Sequence, residues 1–253
     1  MIAGLSVVIP TLDAAATLEA TLLSLDGAAF EVVVADGGSR DGTPALARRL
    51  GARVVQGPRG RGAQLAAGVA ASSGRWLLLL HADTRLLPGW QAAMRSHLAA
   101  AALPGDGPGA VPEPAGYFRL ALDSADPRAR RLERLVAWRC RAWSLPYGDQ
   151  GLLVSRRLLD AVGGMPELAL MEDVALVRRI RRRLGRAGVV ALDAAVLTSA
   201  ARWERDGWWR RSARNLVCLG LWRCGVPVGM IVRLYASRPG AGAGWGGARR
   251  ADR

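Results

Sequence analysis

Residues 31–50 read Glu31-Val32-Val33-Val34-Ala35-Asp36-Gly37-Gly38-Ser39-Arg40-Asp41-Gly42-Thr43-Pro44-Ala45-Leu46-Ala47-Arg48-Arg49-Leu50. A β-branched apolar run over 31–35 predicts a strand, the Asp/Gly/Ser stretch after it a turn, and 43–50 a helix ended by Gly51. The same order recurs on both sides. Upstream, 5–9 reads as a strand and 15–25 as a helix capped by Asp13 or Thr17. Downstream come a strand over 53–56, a helix over 62–72 closed by Gly74, and an apolar strand over 76–80. Such alternation predicts an α/β fold: one Rossmann-like domain with a mostly parallel central sheet and helices on both faces. Ligands in that architecture sit beyond the carboxyl ends of the strands.

The second half is less regular. Residues 103–114, rich in Pro and Gly, read as a mobile linker, followed by a strand over 116–122. An Arg-rich helix over 127–143 carries Leu132, Leu135 and Val136 on its apolar side. A strand over 150–155, a helix over 171–184 with an apolar stripe of Val174, Val177, Ile180 and Leu184, and a strand over 189–192 complete the domain. The boundaries expected are 1–200 for the main domain, with halves 1–100 and 115–200, an aromatic and basic stretch of amphipathic helices over 201–236, and a disordered tail over 237–253.

At 253 residues, with 51% hydrophobic and 22% charged residues, the chain has the composition of a globular protein and not of a disordered or coiled-coil one. The net charge of +14 invites nucleic acid or an anionic membrane as partner. All 35 basic residues are Arg, however, and such a bias together with abundant Ala and Gly is what GC-rich coding produces; no specific nucleic-acid partner is expected. The absence of Lys excludes a Walker-type phosphate loop. Cys140, Cys218 and Cys224 form no CxxC pair, and with His81 and His97 as the only histidines no structural zinc site is expected; the thiols read as buried and reduced in a cytoplasmic protein. Residues 5–10 read as a first strand, not a secretory leader, and 216–235 is broken by Arg223, Pro227 and Arg233 as a membrane span.

The unusual residues lie at strand ends. Pro10-Thr11-Leu12-Asp13 follows the first strand, Asp36 to Thr43 the second, and His81-Ala82-Asp83-Thr84 the fourth. Each alone is an ordinary turn or cap. Together they set three carboxylate-bearing loops on the one edge where binding is expected.

These motifs, with Ser6-Val7-Val8-Ile9-Pro10-Thr11 before them and Tyr147-Gly148-Asp149-Gln150-Gly151, Gly163-Gly164-Met165-Pro166-Glu167 and Met171-Glu172-Asp173 after them, resemble family 2 glycosyltransferases of the GT-A fold. The resemblance covers about residues 5–235 and is greatest to the small bacterial group associated with arsenosugar biosynthesis genes. It implies an inverting transferase moving a sugar from a nucleotide-sugar donor to an unidentified acceptor hydroxyl. That chemistry needs base recognition, neutralisation of a leaving diphosphate and a carboxylate to take the acceptor's proton.

By resemblance, Pro10, Thr11, Asp13, Asp36, Gly38, Ser39 and Asp41 form the nucleotide pocket, and Arg61, His81, Ala82 and Asp83 meet the donor's phosphates. Asp83 matches the metal-ligating end of the family's DxD motif, implying Mg²⁺ or Mn²⁺ as cofactor. Here the first acid of that motif is His81, and no His follows His97 to complete a metal shell. Asp173 is implied as the general base with Glu172 positioning, both in the first turn of a helix that favours negative charge, while Tyr147, Asp149 and Gln150 contact acceptor or sugar. The competing expectation is a basic membrane-surface or nucleic-acid-binding protein without catalysis. Even for an enzyme, the Trp and Arg of the tail suggest contact with anionic lipid at the inner face of the membrane.

Overall fold

The computed structural model describes residues 1–101 and 112–236. The strands are β1 Ile2–Thr11, β2 Ala29–Asp36, β3 Arg53–Gln56, β4 Trp76–Leu79, β5 Thr84–Leu86, β6 Ala115–Asp123, β7 Leu152–Ser155 and β8 Val189–Ser199. They form one sheet in the order β3-β2-β1-β4-β7-β6-β8-β5. β7 runs antiparallel to β4 and β6, and β5 antiparallel to β8, while the remaining pairings are parallel. The mostly parallel sheet is therefore as expected. The residue pattern of β7 does not announce its reversal, and β5 over 84–86 and the helices over 90–101 and 156–161 were not read from the sequence.

The helices are α1 Ala15–Leu23, α2 Thr43–Arg49, α3 Arg61–Ala71, α4 Trp90–Ala101, α5 Pro127–Trp143, α6 Arg156–Ala161, α7 Glu172–Leu184, α8 Ala201–Asp206, α9 Trp208–Arg223 and α10 Val228–Ala236. Strands alternate Cβ direction, so neighbouring apolar residues feed opposite layers. Val7, Ile9, Leu78 and Leu80 face Leu18 and Leu22 of α1, Leu46 of α2 and Trp90 and Met94 of α4. Val8, Leu77 and Leu79 face the other way, toward Leu65 of α3, Leu132 and Val136 of α5 and Val174, Val177 and Ile180 of α7. Both faces are covered, and the apolar run in β4 follows from that.

Several local expectations change. The N-cap of α1 is Ala14, with no side-chain cap bond, because Asp13 has swung into a left-handed conformation (φ 49°) to bond elsewhere. Leu135, expected on the apolar side of α5, is exposed and lies outside the buried stripe of Ala129, Leu132, Val136 and Cys140. Gln150 lies in a 3-10 turn (Gly148–Gln150) ahead of β7, and β8 runs seven residues past 192, to Ser199. Cys140 and Cys218 are buried but Cys224 is exposed. The linker expected over 103–114 falls outside the described residues except at 112–114, and the expected tail over 237–253 does so entirely. Among the described residues no helix is long and apolar enough to cross a membrane.

Candidate active site

The carboxyl ends of β1 and β2 are sewn together by side chains. The buried Asp36 carboxylate accepts four hydrogen bonds: from the Thr11 hydroxyl (3.0 Å), the Gly38 and Ser39 amides (2.9 Å each) and the Ser39 hydroxyl. The Asp13 amide donates to Ser39 Oγ, and Asp13 Oδ1 accepts from the Arg40 amide, both at 2.8 Å. Asp41 accepts from the Ala15 amide (2.9 Å) and from Thr43. Burial opposes its charge, but the Thr43 hydroxyl and these amides prevail and hold its carboxyl below the usual range. From α3, the Gln64 amide donates to the Thr11 carbonyl (2.5 Å) and the Ala35 carbonyl (3.1 Å). Thr11, Asp13, Asp36, Gly38, Ser39 and Asp41 thus lie together, and each carboxylate among them already accepts hydrogen bonds from this pair of loops.

Beyond β4 lies a cavity of about 100 Å³, bordered by Arg61, His81, Asp83, Tyr147, Asp149 and Asp173. The fold brings them together by specific ties. The Thr198 hydroxyl at the end of β8 meets the Thr84 hydroxyl (3.0 Å) and donates to the Asp149 carbonyl (2.9 Å), while the Ser199 amide donates to the Asp83 carbonyl (3.1 Å). Ala82 contributes backbone, its carbonyl accepting from the Thr21 hydroxyl. Asp173 Oδ2 accepts the Gly148 amide (2.6 Å) and Oδ1 the Val174 amide (2.8 Å). A Cβ at position 148 would stand 2.6 Å from His81 Nε2, so only glycine lets the turn come close enough to make the first of these bonds.

Glu172 is wholly buried and ion-paired to Arg61 Nε. Burial pushes its carboxyl up, Arg61 opposes the shift, and Asp173 adds to it. Arg61 itself is held in its charged form by Glu172 and Asp173 against the cost of burial. A second guanidinium nitrogen, Nη1, lies 3.2 Å from His81 Nε2. Since guanidinium only donates, that nitrogen accepts and the ring is neutral with its proton on Nδ1. Burial, with the charges of Arg61 and Arg202, keeps the imidazole well below its ordinary value. Gly62 permits this arrangement: its amide donates to the Leu168 carbonyl at 3.1 Å, and any Cβ there would strike the backbone of Pro166 and Leu168.

Asp149 is the most perturbed acid of the cavity. Burial, reinforced by Asp173 and Asp83, raises it to about 6 against the pull of Arg139 and Arg61, and its Oδ1 is without a partner among the described residues. Tyr147 stacks under the Arg139 guanidinium, 3.5 Å from its ring centre. Gln150 points the other way. Its Oε1 accepts from Arg139 Nη2 (3.0 Å) and the Tyr147 amide (3.2 Å), and its Nε2 donates to the Phe118 carbonyl (3.1 Å), so it braces the turn and does not border the cavity. Glu172 likewise acts through Arg61 and does not face the cavity.

The far wall comes from residues that sequence reasoning did not select: Arg202 and Trp203 of α8, Arg211 and Asn215 of α9, and Tyr235 of α10. Arg202 Nη2 lies 3.7 Å from Asp83 Oδ2. Their types were visible in the tail, but Trp and Arg at helical spacing read equally as a surface face.

The fold and the strand-edge site define an α/β protein with a polar cavity and carboxylate-bearing loops at the carboxyl edge of its sheet. Residues 6–119 match the family model described as glycosyl transferase family 2. No curated protein matches the chain. Among solved structures, the Mycobacterium tuberculosis glucosyl-3-phosphoglycerate synthase in complex with Mn²⁺, uridine diphosphate and glucosyl-3-phosphoglycerate is similar at 26% identity and TM-score 0.56, covering 88% of this chain and 80% of that one. The same enzyme with Mg²⁺ and uridine diphosphate gives 25% identity and TM-score 0.58, with the same coverage. The single α/β domain matches the GT-A fold, and the findings together support a nucleotide-sugar glycosyltransferase.

Those relatives hold a divalent cation, and the residues here fit one in part. Among the described residues no three acidic, His or Cys side chains converge to hold a metal ion. Asp83 nevertheless presents a hard carboxylate oxygen to the cavity, and the buried, unpartnered Asp149 Oδ1 belongs to a carboxyl that feels Asp83's charge. Such a donor set suits Mg²⁺ or Mn²⁺ held chiefly by a bound diphosphate.

Proposed function

We propose that the chain is an inverting glycosyltransferase that moves a sugar from a nucleotide-sugar donor to an acceptor hydroxyl in one displacement. The observation that carries this is the placement of Asp173: its carboxylate is aimed by two backbone amides into a cavity that also contains Asp83, at the same sheet edge as the loops of β1 and β2. The acceptor oxygen forms its bond to the anomeric carbon as the bond from that carbon to the diphosphate breaks. The acceptor's proton passes to Asp173, and the nucleoside diphosphate leaves. Arg61, held by Glu172, faces the departing phosphates. A divalent ion at Asp83, when bound, would supply further charge neutralisation there.

Pro10, Thr11, Asp13 and the loop from Asp36 to Asp41 receive the nucleoside, making 1–100 the donor half and 115–200 the acceptor and catalytic half. Its sequence motifs are most like those of the arsenosugar-associated bacterial group, and membership of that group is part of the proposal. The test is release of nucleoside diphosphate from a panel of nucleotide sugars, UDP-glucose included, with Mn²⁺ present. Release above the no-enzyme rate supports the reading, and none from any donor contradicts it.

A cytoplasmic enzyme working at the inner face of a membrane is also proposed, for a different reason than the sequence suggested. Trp208 is buried and Trp203 and Trp222 pack on the core, so the tail's indoles are not a lipid-facing row. Instead Trp209, Leu216 and Val217 of α9 and Met230 and Leu234 of α10 are exposed, with Arg210 and Arg223 nearby in sequence. Co-sedimentation with anionic vesicles should weaken with salt and disappear in a Trp209→Ala, Leu216→Ala, Met230→Ala variant. No sedimentation at low salt would leave the enzyme without a lipid contact.

A further inference from the structure

The wall of the cavity built by α8–α10 holds more hydrogen-bond donors than acceptors, and the reaction as described uses none of them. Arg211 has a side chain only 6% exposed. Its Nη1 meets Asp206 Oδ2 at 2.7 Å and its Nη2 donates to the Tyr235 hydroxyl at 2.7 Å, while its Nε is buried without a partner among the described residues. Asp206 also takes Arg214 at 3.0 Å and Arg205 at 2.9 Å, so one carboxylate serves three guanidiniums. Trp203 Nε1 and Asn215 Oδ1, on the same cavity, are buried and unpartnered as well. An amide turned end for end would present Nδ2 there, adding donors. Buried donors without acceptors are costly to keep, and surplus positive charge beside them adds to the cost. Both costs are relieved by an anion.

We infer that this wall binds an anionic group, phosphate or carboxylate, carried by the acceptor. The donor's diphosphate is the other anion to consider, and position separates the two. The nucleoside loops lie at β1 and β2, and none of their residues borders the cavity among those described. Arg61, His81 and Asp83 stand at the end of β4, next along the sheet. Arg211, Asn215 and Trp203 come from the C-terminal helices, against the cavity that contains Asp173. A donor laid from the loops toward Asp83 leaves the helical wall to the second substrate, whose hydroxyl must reach Asp173. The assignment to the acceptor rests on the glycosyltransferase reading; the anion site itself does not.

The experiment is calorimetric titration of the full chain with inorganic phosphate, alone and with UDP and Mn²⁺ at saturation. Phosphate is expected to bind in both conditions. Arg211→Gln and Asn215→Asp should each weaken it by at least about tenfold, the scale of losing a buried charged partner or of setting a like charge against the anion, with UDP affinity changed by less than about threefold. Asn215→Asp is isosteric and reads the site even where Arg211→Gln fails to fold. Absence of phosphate binding to the intact chain, displacement of phosphate by UDP, or unchanged phosphate affinity in a folded variant would each overturn the inference. The last would leave Arg211 as a tie between α9 and α10. Phosphate binding that responds to both variants in a chain that binds no UDP would uphold the anion site and remove the glycosyltransferase reading.

Discussion

The two halves of the sheet edge are built on opposite principles. At β1 and β2, Asp13, Asp36 and Asp41 all accept hydrogen bonds from within the pair of loops, Asp13 and Asp41 each from an amide of the neighbouring one. Around the cavity beyond β4, Asp149, Trp203, Arg211 and Asn215 each keep a buried polar atom unpartnered, and Asp149 is shifted to about 6. The first region has its carboxylates satisfied within the fold, and under the proposed function it is the edge against which the nucleoside is placed. The second keeps buried polar atoms unsatisfied, which under the proposed function substrates would relieve. Pre-organisation and reactivity are thus divided between neighbouring loops of one sheet.

The contrast can be broken in three places. Asp173→Asn should cut kcat by at least about a hundredfold with donor KM nearly unchanged, because it removes the proposed proton acceptor and, with it, one of the two oxygens that accept the Gly148 and Val174 amides. Steady-state kinetics against UDP-glucose would show this, and undiminished turnover would move the base elsewhere. Asp36→Ala should act through binding: with four hydrogen bonds lost and their donors orphaned, UDP affinity should fall about tenfold and thermal stability should drop with it. Calorimetry and a melting curve together check the pair of effects.

Asp149 gives the smallest effect and the sharpest sign. Its folded value of about 6 exceeds the ordinary 3.8, so between these values the folded chain binds more protons than the unfolded one. Stability contributed by this group therefore falls as pH rises through that window. Asp149→Asn should raise Tm at pH 8 by a few degrees, on the order of 1 kcal/mol, with the gain vanishing below about pH 4. A gain equal at both pH values would mean the carboxyl is not strained.

The rigid half was legible in the sequence and the strained half only in outline. β1, β2 and β4 are apolar on both faces, and their polar exits name the loops directly. Gln150 and Glu172 were legible as residues but not as orientations, since the partners that turn them inward, Arg139 with Phe118 and Arg61, are remote in sequence or come from other elements. Strand direction was equally hidden. β5 has three residues, and nothing in Thr84–Leu86 announces antiparallel pairing with β8. The cavity's far wall was missed because Trp203 and Arg211 satisfy a surface pattern as well as a buried one.

Binding of UDP to the full chain, with and without Mn²⁺ and in the Asp83→Ala variant, tests most directly whether this edge is a nucleotide-sugar site. The intact protein should bind UDP, and bind it more tightly with Mn²⁺ than with chelator. Asp83→Ala should erase that difference while leaving the metal-free affinity in place. Failure of the intact chain to bind UDP or any other nucleoside diphosphate, with metal or without it, would contradict a donor site at the ends of β1, β2 and β4.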